Sequence, residues 1–379
     1  MIRRLAATVL LSVSRIGARS AVCALTTVLT VSGLLTFLAV PVHGQDTVHG
    51  QGAGELLRPV EGEDFAVFGR DGGPSSLAAV LQALSGTDVV LVGEEHDDMV
   101  GHRFQAELLG AAYRRLQAED GRPMILSLEM FERDVQYILA EYLDGEISET
   151  HFLSSARPWP DYEHRYRPLV EFSKAHRLPV VAANAPRRYV NRVSREGPES
   201  LQTLSPTAKS FLPPLPYPGP SEEYRAQWDA LMSEAMGAMQ APSDSASADA
   251  GAGQTLADEA EAAEADTDTD TDASRHYVMS PNVIYSQALW DAAMGHAVTS
   301  ALGTSPGSLV IHMAGSFHVE RSTGIPERVA DYAPGTRVLS IVMVSVDDIT
   351  AWDDEEHEGL GDFVVFTKKP EHVTDSSGS

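Results

Sequence analysis

Val89-Val90-Leu91-Val92-Gly93-Glu94-Glu95-His96 and, much later, Leu309-Val310-Ile311-His312-Met313-Ala314-Gly315-Ser316-Phe317-His318 repeat one arrangement near the two ends of the chain. In each, an apolar run rich in β-branched residues passes directly into Gly-x-x-His. Such runs fit buried strands. Glycine lets the chain leave a strand by a tight turn, because it tolerates backbone angles other residues avoid. The polar residue that follows then stands at the rim of the sheet, where open α/β folds bind ligands. His96 and His318 are more than two hundred residues apart in sequence. They share a site only if the fold brings both strand ends to one edge.

Working outward, Asp64 to Phe68 reads as a short edge strand and Ser75 to Leu84 as a helix, with Pro74 and Ser75 near its start. After His96, Phe104, Leu108, Leu109, Ala112 and Leu116 keep helical spacing. Met124 to Leu128 is the next strand, delivering Glu129 at its end. A helix carrying Val135, Ile138, Leu139 and Tyr142 stops at Gly145. Leu178 to Ala183 is a further buried strand and delivers Asn184. Tyr285 to Val298 reads as a helix, Ser308 to Ala314 and Val338 to Val346 as strands, and Phe363 to Thr367 as a strand closing the sheet edge. Strands alternating with helices predict an α/β fold with a mixed central sheet flanked by helices, its two Gly-x-x-His elements meeting at one edge.

Residues 1–44 are set apart from that fold. Arg3, Arg4, Arg15 and Arg19 precede an apolar stretch from Ser20 to Val42, and small residues lie before Gln45. This is the pattern of an export signal. The alternative is an uncleaved membrane anchor, since the stretch is long enough to span a bilayer. Either way the remainder is exported, to periplasm or cell surface. The single cysteine, Cys23, lies in this segment, so a cleaved chain has neither disulfides nor thiolate metal sites. Loss of the four arginines takes the net charge from −26 to −30. That balance disfavours nucleic acid and anionic membrane surfaces as partners.

Residues 45–61 read as a flexible Gly/Gln/Glu-rich tether and 371–379 as a disordered tail. Residues 213–220 are too rich in proline for anything but an extended loop. Ala, Asp, Ser, Glu and Thr dominate 241–274, which lacks the apolar bulk to order itself. Because the second Gly-x-x-His follows it, this stretch reads as a disordered insertion within a single domain spanning 62–370.

The strand ends present Glu94, His96, Glu129, Asn184 and His318. Imidazole with carboxylate suits a divalent metal, general acid–base work or a polar ligand, and spacing does not choose among these. Neither His-Glu-x-x-His nor Gly-x-Ser-x-Gly occurs, which excludes those two hydrolytic motifs. Glu132, Arg133 and Gln136 open a helix, as a salt bridge or as ligand contacts. Trp159, Tyr162 and Tyr166 lie among Pro158, Pro160 and Pro168 in an aromatic loop fit to wall a planar ligand or to cover the core. Arg187 and Arg188 follow Asn184 and could hold an anionic group. Tyr285, Gln287, Trp290, Asp291 and Met294 share a later helix, a stripe more often core than cofactor box.

These residues carry a resemblance. Gly93-Glu94-Glu95-His96-Asp97, Gln105, Leu128-Glu129-Met130-Phe131-Glu132-Arg133 with Gln136, and Trp159 with Tyr166-Arg167-Pro168-Leu169 come in order. Ala183-Asn184-Ala185-Pro186-Arg187, Gln287-Ala288-Leu289-Trp290-Asp291, Ala314 to Val319 and Gly324-Ile325-Pro326 follow. The sequence resembles the ChaN family of haem-binding proteins, within the Tiki/TraB/erythromycin-esterase superfamily, over roughly residues 85–345. The resemblance implies an exported α/β protein of iron or haem uptake that holds haem through a tyrosine, with paired haems between two subunits of a homodimer. Tyr166 and Tyr285 are then the candidate iron ligands, tyrosinate being a hard anionic donor to ferric iron. Glu94, His96, Glu129, Arg133, Tyr166, Asn184, Arg187 and His318 are the candidate ligand-binding residues. Glu320 to Thr323 stand where relatives tend to place aromatic and glycine residues. The alternative the resemblance implies is a metal-dependent or acid–base hydrolase, an esterase or peptidase, with Glu94, His96, Glu129 and His318 catalytic.

Overall fold

A computed structural model describes residues 58–240 and 280–370, the side chains of 234–240 excepted. The segments read as signal or anchor (1–44), insertion (241–274) and tail (371–379) lie outside these residues, as does 45–57 of the tether. Its last residues are tied down. Val60 donates its N–H to Asp64 (2.7 Å), and Glu61 accepts from the N–H of Leu77 (3.3 Å). Among the described residues no helix is long and apolar enough to cross a membrane.

The strands are β1 (Phe65–Gly69), β2 (Val89–Glu94), β3 (Met124–Glu132), β4 (Val180–Asn184), β5 (Leu309–Gly315), β6 (Val338–Val346) and β7 (Phe363–Lys368). The helices are α1 (Leu77–Ala83), α2 (Met99–Ala112), α3 (Gln136–Leu143), α4 (Glu149–Ala156), α5 (Tyr162–Arg165) and α6 (Arg167–His176). They continue with α7 (Arg187–Glu196), α8 (Pro206–Lys209), α9 (Glu222–Gln240), α10 (Val283–Thr304), α11 (Ile325–Tyr332) and α12 (Asp354–His357). One mixed sheet has the order β1-β7-β6-β2-β5-β3-β4. All its pairs are parallel except β1 with β7. The mixed α/β architecture is as the sequence predicts. The edge differs: β7 lies one place inside, and β1 closes the sheet.

Both faces of the sheet are buried, which is why β2 and β5 read as unbroken apolar runs. Val90 and Val92 pack on one side with Phe104 and Leu108 of α2, Leu139 of α3, Phe152 of α4 and Leu169 of α6. Val89 and Leu91 pack on the other with Val190 of α7, Leu289 and Met294 of α10 and Val329 of α11. Neighbouring strands β2 and β5 therefore send their chains to opposite faces, β2 into α2 and β5 towards α11. Such a point opens a crevice at the carboxyl ends of the strands. Gly93 and Gly315 are still within strands there, and Gly315 has an ordinary φ of −57°. Gly93 permits close approach rather than a turn: a Cβ on it would lie 2.9 Å from the Cα of Ser316.

Local chemistry explains three further departures. Strand β3 runs through Glu129 to Glu132, with its register to β4 shifting between Leu128 and Glu132. The aromatic segment is a loop only around Trp159: Tyr162 opens α5 and Tyr166 leads into α6, whose first turn holds Pro168, where its missing N–H costs nothing. Gln136 is structural. Its amide donates to the carbonyl of Val180 (2.9 Å) and accepts from the N–H of Ala182 (2.8 Å), so it covers backbone groups along edge strand β4.

Candidate functional site

Glu94, the last residue of β2, points to the α2 face and is 2 % exposed. Its carboxylate accepts from the Tyr166 hydroxyl (2.8 Å), from Nδ1 of His96 (2.9 Å) and from the Gln105 amide of α2. His102, one turn before Gln105, places Nδ1 3.8 Å from Glu94, while its Nε2 donates to the carbonyl of His96 (2.9 Å). Burial alone would raise the Glu94 pKa, but the His102 charge and the His96 and Gln105 hydrogen bonds outweigh it and hold the carboxyl below its ordinary value. His96 thus has one ring nitrogen fixed by a carboxylate, with the Trp159 ring edge-on to it at 4.9 Å. Its side chain is 12 % exposed, at the lip of the cluster.

Glu129 leaves β3 on the opposite face. Side chains alternate along a strand, and Glu129 shares parity with Ile125 and Ser127. One of its oxygens accepts from the N–H of Gly315 (2.7 Å), and the other lies 3.7 Å from Nε2 of His318. Nδ1 of His318 meets Asp291 of α10 at 2.7 Å. Glu129, Asp291 and His318 are all buried. One layer deeper, Nδ1 of His312 meets the Ser127 hydroxyl at 2.9 Å. Burial first, then the His318 charge, brings the pKa of His312 down to about 3.

Both Gly-x-x-His elements therefore stand at one edge of the sheet, with Glu94 paired in register with Gly315. Their side chains form two clusters, one on each face. The clusters are close enough to act on each other electrostatically: Tyr166 is affected by both Glu94 and Glu129, and His312 by both Glu94 and His318. Among families, the one described as haem-binding uptake, Tiki superfamily, ChaN matches residues 80–329, about two thirds of the chain. The chain belongs to this family. Among solved structures it is similar to ChaN of Campylobacter jejuni, described with cofacial haem binding, at 14 % identity and a TM-score of 0.54, covering 82 % of this chain and 100 % of that one. That is a likeness of fold. The chain is also similar to an erythromycin esterase mutant, EreC, in its open conformation, at 12 % identity and a TM-score of 0.38, covering 80 % and 83 %. No curated protein matches it.

The two candidate tyrosines, Tyr166 and Tyr285, differ in setting. Tyr166 is fully buried and donates its hydroxyl to Glu94. Burial, then the charge and hydrogen bond of Glu94, push its pKa well above the ordinary value. The Tyr285 hydroxyl accepts from Arg225 (3.2 Å), and its ring lines a cavity of about 140 Å³ with Leu215, Pro216 and Tyr217.

Divalent metal, the other expected cofactor, finds no group of three His, Cys, Asp or Glu donors arranged to hold it among the described residues. Asn184 turns its side chain back to accept from the N–H of Ala185 (2.9 Å). The backbone N–H of Arg187 donates to Glu132 (3.2 Å), and Glu132 and Asp134 also take Arg157, while Arg188 pairs with Asp134. Arg133 stands outside this net: it is half-buried, burial lowers its pKa, and no carboxylate among the described residues pairs with it. Sequence reasoning missed His102 and the role of Gln105, whose three-residue spacing puts them on one helix face. It also missed the link from Asp291 to His318, for which the sequence holds no signal.

Proposed function

We propose that this protein is an exported haem-binding protein of iron or haem uptake, holding its ligand at the β2–β5 strand-end crevice. The observation that carries this reading is His96 at the lip of the Glu94 cluster, beside Trp159. A ligating imidazole commonly donates its second ring N–H to a carboxylate, which fixes the tautomer and raises the basicity of the other nitrogen. Glu94 fits that role on Nδ1, so His96 is the side chain that would hold the iron. Trp159 would offer an aromatic wall, and the half-buried Arg133 guanidinium a partner for a propionate carboxylate. Haem, when bound, supplies a redox-active iron and a strong visible absorption. Membership of a haem-binding family supports the cofactor, and the cofacial haem of the Campylobacter jejuni ChaN motivates two copies of this chain as the binding unit.

Haem titration of the apo-protein tests the reading, repeated with His96→Ala, His318→Ala and Tyr285→Phe. Saturable binding at low micromolar haem that His96→Ala alone weakens supports it. No saturable binding, or a requirement for Tyr285 and not His96, refutes it. Export is tested by mass spectrometry of protein from its own host. A chain beginning near Gln45 supports a cleaved signal, an exported chain with Met1 supports an anchor, and a cytoplasmic chain with intact Met1 refutes export.

A second reading rests on the buried Asp291–His318 pair. Carboxylate-bound imidazole facing a glutamate is suited to acid–base hydrolysis. Ester or peptide cleavage that needs His318 and Glu129, without haem, would favour it.

A further inference from the structure

Glu129, Asp291 and His318 are each no more than 2 % exposed. Anything they act on must first gain a way in, and such access is commonly controlled by a moving segment. Phe317, next to His318 in the chain, is roofed by α9. Tyr224, Trp228 and Leu231 share one face of that helix, being four and three residues apart. They pack on Phe317 and Ile284 as a small apolar cluster separate from the two main cores. The Phe317 ring meets those of Tyr224 and Trp228 edge-on at 5.2 and 5.9 Å and lies 5.8 Å from the His318 ring. Beside the rings, the Gln227 amide donates to Glu320 (2.5 Å) and accepts from the Thr323 hydroxyl (2.6 Å). The far side of this joint is held firmly. Arg321 and Ser322 adopt left-handed φ of 53° and 61°, and Arg321 donates to the carbonyls of Glu356 (3.0 Å) and Glu358 (3.4 Å). At the leading end of α9, the Gly219 carbonyl accepts from Arg328 (3.2 Å), and Arg225 donates to the Tyr285 hydroxyl (3.2 Å). Glu222, Glu223, Ala226, Asp229 and Ala230 face solvent.

We propose that α9 is a lid over the second Gly-x-x-His element, turning about Gly219 and latched by Gln227 on Glu320 and Thr323. Lifting it parts Trp228 from Phe317 and opens a path to His318, which lies between Asp291 and Glu129. The sheet and α10 stay in place, because their apolar contacts belong to the main cores. Elements held by few buried apolar contacts open locally, without global unfolding. Opening supplies the access that acid–base chemistry at the Asp291–His318 pair needs. The motion itself rests neither on that chemistry nor on haem.

Deuterium exchange at the ring C2 of histidine tests it, read residue by residue by mass spectrometry on the haem-free protein. That exchange needs solvent at the ring. Gln227→Ala removes both latch bonds and keeps a good helix former. It is expected to speed exchange at His318 by about tenfold, from the loss of two hydrogen bonds. His312, one layer deeper on the same face, should keep its wild-type rate. Thr323→Val, which removes one of the two bonds, should give a smaller rise. An unchanged His318 rate in folded Gln227→Ala overturns the proposal, and so does a rise shared by His312, which would mean general loosening. Should Gln227→Ala fail to fold, Thr323→Val decides by the same two signs. A failed haem titration, or a lack of hydrolysis, leaves this readout untouched, so the proposals fail separately.

Discussion

Replacing Tyr166 with phenylalanine separates a support from a ligand. The phenol donates to a buried, ionised carboxylate at 2.8 Å, and hydrogen bonds to charged groups contribute about 1.5–3 kcal/mol. Glu94 would keep His96 and Gln105 as donors. The phenyl ring would still meet His102 and Trp159, now 5.1 and 6.2 Å from Tyr166, so little packing is lost. Tyr166→Phe should therefore cost about 1.5–3 kcal/mol, a shift on the order of 1 M in the urea midpoint. Its acid limb should move as well. The folded pKa of Glu94 is depressed, so its contribution is present above the unfolded pKa and lost as pH falls through the folded one. Loss of a donor to the ionised form raises the folded pKa, and acid unfolding should begin at higher pH. Haem titration of the variant should match wild type. Two results would refute the reasoning: an unchanged urea midpoint, or lost haem absorption in a variant that is otherwise folded.

Three other substitutions probe the frame of the site. Glu95, beside His96, has its pKa raised to about 7, by burial first and then by the charges of Asp98 and Asp97, against the N–H of Ser345. A raised folded pKa means this group favours folding below its unfolded pKa, and that advantage is lost as pH rises to about 7. Glu95→Gln should thus be more stable than wild type at pH 8, by about 2 kcal/mol after allowance for solvent screening, and should show no such gain at pH 4. Parallel urea curves at the two pH values check it. Gly324→Ala should lose about 1–3 kcal/mol, because the new Cβ meets the His318 carbonyl in a backbone region that favours glycine; a wild-type midpoint would contradict the packing described. Gln136→Ala should unpin β4, so that amide exchange at Ala182 quickens while exchange in β2 stays slow.

The sequence alone carried the strands, because a strand buried on both faces must be apolar throughout, and it placed Gly93 and Gly315 at the rim for the same reason. It also carried the family, through short motifs in fixed order. What it could not carry was the side of the sheet each carboxylate would take. Glu94 and Glu129 look equivalent as strand-end acids. Alternation along β2 and β3, fixed by which residues pack on α2 and which on α10, sends them to opposite faces. Nor could the sequence separate Tyr166 from an accessible ligand, since its hydroxyl is committed by a hydrogen bond to a residue 72 positions away. The partner of His318 comes from 27 residues earlier, on a helix whose orientation only the packed sheet defines. Periodicity reports which residues are buried, and those could be read directly. Hydrogen-bond partnership between buried groups depends on distance and direction in space, which the tertiary structure alone decided.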